Sequence, residues 1–119
     1  MSKSAKTIFA FGIYFAVLGT ILIVAPNILL TLFGVPTTNE VWIRVAGVLV
    51  IVLAFYYIQA ARKELVDFFQ WTLYTRSSAI VFFTAFVLLG FVKPALILFG
   101  AIDLAGAIWT GLALRARRA

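Results

Sequence analysis

The 119-residue chain contains no cysteine and no histidine. The first absence removes disulfides, thiol nucleophiles and thiolate metal sites. The second removes His-ligated haem and a histidine general base. Acidic residues are scarce too, four against ten lysines and arginines. No carboxylate cluster for a metal, no phosphate-binding loop and no Ser-His-Asp set is available. No cofactor and no metal site are expected, and an enzyme is the least favoured class.

What is abundant is apolar. Hydrophobic residues make up 65% of the chain and charged ones 12%, where a soluble domain has about half and about a quarter. A soluble fold of this size has too much surface that must be polar to hide so much grease. The mean hydropathy of +1.14 agrees, and a bilayer removes the conflict by solvating outward apolar side chains. The formal charge of +6 would suggest nucleic acid as the partner of a soluble protein. Here the basic residues sit at helix ends, where lipid headgroups and the insertion machinery read them, and no nucleic-acid partner is expected.

Four apolar stretches follow one another. The first, about 7–25, has the roughly 20 residues needed to cross a hydrocarbon core. Lys3 and Lys6 give it the start of a signal peptide, but Ile23 and Ala25 before Pro26 make a poor cleavage site, so a retained helix is expected. Pro26 and Asn27 break the run. Residues 26–33 then form either a kinked continuation of helix one or a short interfacial helix. A loop with Gly34, Pro36, Thr37, Thr38 and Asn39 follows.

The second span covers about 41–61, with Trp42 and the Tyr56–Tyr57 pair towards opposite ends. Residues 62–76 (RKELVDFFQWTLYTR) read as an amphipathic interfacial segment. The third and fourth spans cover about 77–92 and 94–114, with Lys93–Pro94 as their turn. The expected fold is an all-α membrane protein, a single four-transmembrane-helix bundle. Lys3, Lys6, Arg62, Lys63, Arg76, Arg115, Arg117 and Arg118 fall on one side, against Arg44 and Lys93 on the other. This asymmetry predicts both termini in the cytoplasm and residence in the plasma or inner membrane. Arg44-Val-Ala-Gly47 and Asp103-Leu-Ala-Gly106 share a pattern, as do the Leu-Phe-Gly runs at 32–34 and 98–100. A duplicated helical hairpin would produce this, and so would chance among apolar helices.

Charges within spans are the informative residues, because hydrocarbon penalises them. Asp103 lies near mid-membrane in the fourth span. Arg44 lies about one turn into the second and can snorkel or reach inwards. Glu40 and Arg44 are four apart and can share a helix face, and Asn27 falls at similar depth. Asn27, Glu40, Arg44 and Asp103 are therefore the candidate ligand or coupling site, with Arg44 and Asp103 expected to pair across the bundle. The competing reading is that such a pair only fixes packing and register. Tyr56, Tyr57 and Gln59 could line a pocket. Phe82, Phe83 and Phe86 could line a ligand cavity or simply face lipid. The glycines, among them Gly19, Gly47, Gly100 and Gly106, are expected to permit close helix contacts.

The strings LFGVP, WIRVAG, YTR and DLAGAIWT, taken together, resemble small bacterial four-helix membrane proteins of the DoxX-like kind. The resemblance covers most of the chain as a layout of helices and implies a compact bundle, accessory to redox or transport systems. The chain also has the size of a small multidrug transporter, but its first span lacks the glutamate on which that family depends. The leading expectation is a non-enzymatic membrane protein that binds a hydrophobic ligand, lipid or membrane partner. Alternatives are a small oligomeric transporter or channel with Asp103-linked ion or proton coupling, and a structural subunit of a larger membrane complex. The expected partners are membrane lipids and either further copies of the chain or a larger complex.

Overall fold

Ser2 starts the first helix. Its Oγ accepts from the Ala5 N–H at 3.1 Å, satisfying one of the donors that a helix start leaves unpaired. The computed structural model describes residues 1–32, 34, 36–39, 41–90 and 97–118, the last two of these without their side chains. They form five α-helices: α1 (Lys3–Val24), α2 (Pro26–Leu32), α3 (Trp42–Arg62), α4 (Val66–Leu88) and α5 (Ile97–Arg118). No strand occurs among the described residues. All but α2 are long and apolar enough to cross a membrane.

Their outward faces agree with that length. Leu49, Phe82, Leu88 and Leu112 are all exposed, a distribution that water would penalise and lipid tails would not. The exposed rings of Trp42 at one end of α3, and of Trp71 and Tyr74 in the first half of α4, suit interfacial belts. The longest dimension, 47 Å, is close to the 40–45 Å of a bilayer with its headgroups.

Two boundaries differ from the sequence expectation. α1 stops at Val24 because the residue before a proline is driven out of the helical region, and Ala25 takes φ −144° and ψ 63°. Pro26 then opens a separate helix at a position where its missing N–H costs nothing. The larger correction concerns residues 62–76. Only Lys63–Leu65 form a turn, and α4 runs unbroken from Val66, so 66–76 is continuous with the third long helix rather than a separate segment. Two polar residues of this stretch, Thr72 and Arg76, are buried.

The turn itself is a Schellman motif. Leu65 N–H donates to Ala60 O at 3.0 Å and Glu64 N–H to Ala61 O at 3.2 Å, with Glu64 in the left-handed region at φ 54°. Glycine normally takes this place. Glutamate serves a second purpose here: its carboxylate accepts from Ser2 N at 2.6 Å and Ser2 Oγ at 2.8 Å. The start of α1 is thereby tied to the α3–α4 turn. Lys3 and Ala116 border one depression at the same end, so the N-terminus, this turn and the end of α5 lie together.

The helices pack as two pairs. α1 lies along α3, α4 lies along α5, and the pairs meet chiefly where α1 touches α5. α3 and α4 make little direct contact, which leaves a cleft between them. The α1–α3 seam closes on bare backbone. A Cβ on Gly19 would stand 2.8 Å from Gly47 O, and one on Gly47 would stand 2.9 Å from Gly19 O. Small residues at such crossings let dispersion act between helices that lipid cannot drive together. Gly19→Val should therefore lower stability by about 1–3 kcal/mol, whereas a Cβ on Gly111 meets nothing nearer than 3.7 Å and Gly111→Ala should be close to neutral. Thermal unfolding of both variants in detergent micelles checks the contrast, and equal behaviour of the two would reject the seam as a constraint.

Candidate functional site

Arg76 sits ten residues into α4, about 15 Å along it at 1.5 Å per residue, and is only 3% exposed. A charge at that depth must be hydrogen-bonded to persist. Threonines from two helices do much of this. Nη2 donates to Thr110 Oγ1 at 2.9 Å and to Thr72 Oγ1 at 3.0 Å, and Nε donates to Thr72 O at 3.4 Å. The Thr72 hydroxyl spends its hydrogen on Phe69 O at 2.7 Å, so towards Arg76 it can only accept.

The same accounting orients the next bond. Thr7 Oγ1 donates to Ser4 O at 2.7 Å, so in its 2.7 Å contact with Thr110 Oγ1 the single hydrogen comes from Thr110. A directed chain thus runs from Arg76 through Thr110 and Thr7 to the backbone of α1. It joins α4, α5 and α1 in their buried interior.

Aromatic rings supply the rest of the setting. The guanidinium carbon lies 4.7 Å from the Phe11 ring centroid and 5.9 Å from that of Tyr57, within the range of a cation–π attraction. Phe11 can approach because α5 carries Gly106 there; a Cβ would stand 1.9 Å from Phe11 Cε2. Phe15, Tyr57 and Phe68 continue edge-to-face, at 5.0 and 5.3 Å between centroids, and line the wall between α1, α3 and α4. One group is left over: Nη1 of Arg76 is buried with no hydrogen-bond partner.

Two cavities of about 410 Å³ each occupy the cleft between the pairs. Each falls in the roughly 300–1,000 Å³ range of ligand pockets. The first is bordered by Tyr57, Trp71, Thr72, Thr75, Arg76 and Asp103. The second, further from the Ser2 end, is walled by leucines and rings, among them Leu18, Leu22, Leu29, Leu30, Val50 and Phe83. Phe15, Leu53 and Asp103 border both. Asp103 is half-buried, and its charge and that of Arg76 act on one another, although no ion pair joins them.

The structure does not bring Asn27, Arg44 and Asp103 together. Arg44 is exposed and donates from Nη1 to Ile23 O, a carbonyl at the broken end of α1 that the helix itself leaves unserved. Asp103 instead borders the same cavity as Arg76. Asn27 accepts from Thr38 N–H at 2.9 Å through Oδ1 and holds the following loop to α2. Glu40 lies outside the described residues. Of the three candidates among the described residues, Asp103 alone borders the cleft, and Arg76, Thr72 and Thr7 were missed. Tyr57 does line the first cavity and Phe83 the second, while Tyr56 and Phe82 are exposed.

No protein family, curated protein or solved structure matches the chain. The class defined by its own geometry is a helical bundle with four membrane-length spans and a cleft, polar at one place, between two helix pairs.

The threonine chain generates a direct test. Thr110→Val removes the acceptor of a buried charged donor and should cost about 1–3 kcal/mol, with Thr110→Ser restoring most of it. Thr20 bonds only to Ala16 O of its own helix, on an exposed face, so Thr20→Val should shift the unfolding midpoint little. Equal effects of Thr110→Val and Thr20→Val in micelle unfolding would reject the network as a structural element.

Proposed function

We propose that this chain is a non-enzymatic membrane protein that holds a hydrophobic or lipid-like amphiphile in the cleft between its two helix pairs. One observation carries this reading. A cavity between α3 and α4 is bordered by the buried Arg76 and by Asp103, a carboxylate that no described group hydrogen-bonds. An intramembrane ionisable pair of this kind is by default a site. The adjoining apolar cavity offers room for a chain. The DoxX-like layout, with its accessory role beside redox or transport systems, is compatible with such a binder.

The membrane setting proposed is the plasma or inner membrane, with the Ser2 end in the cytoplasm. Lys3, Lys6, Arg62, Lys63, Arg115, Arg117 and Arg118 mark that end, with Arg44 and Lys93 opposite. Arg76 leaves the count because it is buried within α4, and the asymmetry survives its loss. The chain has no cysteine, so single introduced thiols are unambiguous. A membrane-impermeant maleimide should label Thr37→Cys on intact cells and Ala116→Cys only after lysis. The reverse pattern would overturn the orientation.

Ligand binding is tested by extracting the protein in polymer discs and weighing it by native mass spectrometry. The wild type should retain about one amphiphile per chain. Leu53→Trp, which fills the junction of the two cavities, and Arg76→Met, which removes the polar anchor, should each lose it while keeping their helical content. An unchanged bound mass in both variants would sink the proposal.

A further inference from the structure

We infer that the chain carries a second lipid site, apart from the cleft: a groove between α1 and α5 that holds one anionic phospholipid of the leaflet on the Ser2 side, with its phosphate between Lys3 and Lys6.

Two contacts set the antiparallel register of these helices. Thr7 meets Thr110. Phe11 fills the space left by Gly106, four residues later on α1 and four earlier on α5. The register brings Lys3 and Lys6 beside Trp109, Leu112 and Ala113, and together they line a groove of about 340 Å³. Lys3 and Ala113 also border the end depression of about 380 Å³ that Ser2, Ser4 and Ala116 complete. None of these residues borders either cleft cavity.

The groove wall carries two positive charges and no negative one. The first acidic residue of the chain is Glu40, and the single acid of α5, Asp103, borders the cleft instead. The Glu64 carboxylate is held by Ser2 N and Oγ and borders neither depression. Both lysines stand in the first turn of α1, which has no acid, so the positive end of the helix dipole adds to their charge rather than offsetting it. An anion in the groove relieves all three.

Membrane insertion accounts for positive charge at this end of the bundle, and Arg62, Lys63 and Arg115 serve it equally. It does not require a groove. Lys3 and Lys6 share an exposed stripe of α1 with Ala10, Ile13 and Val17, at the three- and four-residue steps of one helix face. On α5, exposed Leu112 and Trp109 continue through Ala105 and Ile102 in the same way. An acyl chain attached at the lysines has this apolar surface to run along. Trp109 precedes Thr110 and so stands just deeper than Lys6, at the level where an indole belongs among the ester groups. A free phosphate would use the lysines and leave Trp109 and Leu112 without a partner, so the occupant is a membrane lipid.

The test reconstitutes the full chain in nanodiscs of dioleoylphosphatidylglycerol and dioleoylphosphatidylcholine in equal amounts. The two lipids share tails and a phosphate, but choline cancels the charge of the second. Retained lipid is read by native mass spectrometry, with circular dichroism as the check on folding. The wild type should retain one phosphatidylglycerol about tenfold more often than one phosphatidylcholine. Lys3→Gln combined with Lys6→Gln should bring that ratio close to one. Arg62→Gln combined with Lys63→Gln removes the same charge elsewhere at this end and should leave the ratio as in the wild type. Leu53→Trp, which fills only the cleft, should leave it too.

A wild-type ratio near one would overturn the inference. So would an equal fall in the two double variants, which is the mark of diffuse attraction to a positive end. Loss of phosphatidylglycerol in Leu53→Trp, with retention when Lys3 and Lys6 are replaced, would move the lipid to the cleft and remove this site. The cleft reading fails on a different result, an unchanged bound amphiphile in Leu53→Trp and Arg76→Met, so the two stand or fall separately.

Discussion

A guanidinium in hydrocarbon brings five N–H groups that water no longer serves. Much of this bundle can be read as the answer to that demand at Arg76. Thr72 answers from the same helix one turn back. Thr110 answers from α5 and passes the polarity on to Thr7 of α1. Phe11 covers the flat face, and Gly106 makes room for Phe11. Three helices that share no covalent turn with one another at this depth are thereby placed in register. The alternative, a helix drifting in lipid with an unserved charge, is far costlier than any single packing contact in an apolar solvent that competes equally for every leucine.

That requirement also accounts for the uneven packing. α1 closes on α3 backbone to backbone through Gly19 and Gly47, and reaches α5 through the threonines and Phe11. Being the common neighbour, α1 leaves its two partners on either side, and α4 is held by α5 and Arg76 rather than by α3. The α3–α4 gap is the consequence. It is lined by Tyr57 and Leu53 on one side and by Trp71, Thr72 and Arg76 on the other. A gap between membrane helices does not stay empty, because lipid tails are the local solvent.

The layout of helices was legible from composition alone, because hydropathy over a 20-residue window reports a property each residue has by itself. The site was much less so. Arg44 and Asp103 shared a sequence pattern, and in the structure Gly47 and Gly106, three residues after each, both press on α1. They press at different depths. Arg44 bonds at Ile23, near the end of α1, while Asp103 shares its cavity wall with Tyr14 and Phe15, eight or nine residues earlier. That is about 12 Å along a helix, beyond the reach of a pair. Arg76 was assigned to an interface because hydropathy scores an arginine without its partners. One signal was there: a third span of 77–92 has 16 residues, fewer than the roughly 20 a crossing needs. Extending it backwards draws Arg76 into the membrane, and Thr72 lies four residues before it on the same face.

Whether Arg76 locks the bundle or serves a ligand is a less sharp division than it first looks. Its N–H groups do not all take part in the lock. Nε and Nη2 are consumed by Thr72 and Thr110, and these bonds hold α4 to α5. Nη1 takes no part in them. A purely structural arginine would gain from a third threonine or a backbone carbonyl at Nη1, and a carboxylate placed one step closer would have closed the pair. Asp103 stops short of that contact while still bordering the cavity. The arrangement keeps the guanidinium rigid through one edge and leaves the other edge buried and unserved, so the charge that borders the cavity is fixed by the same bonds that join the helices.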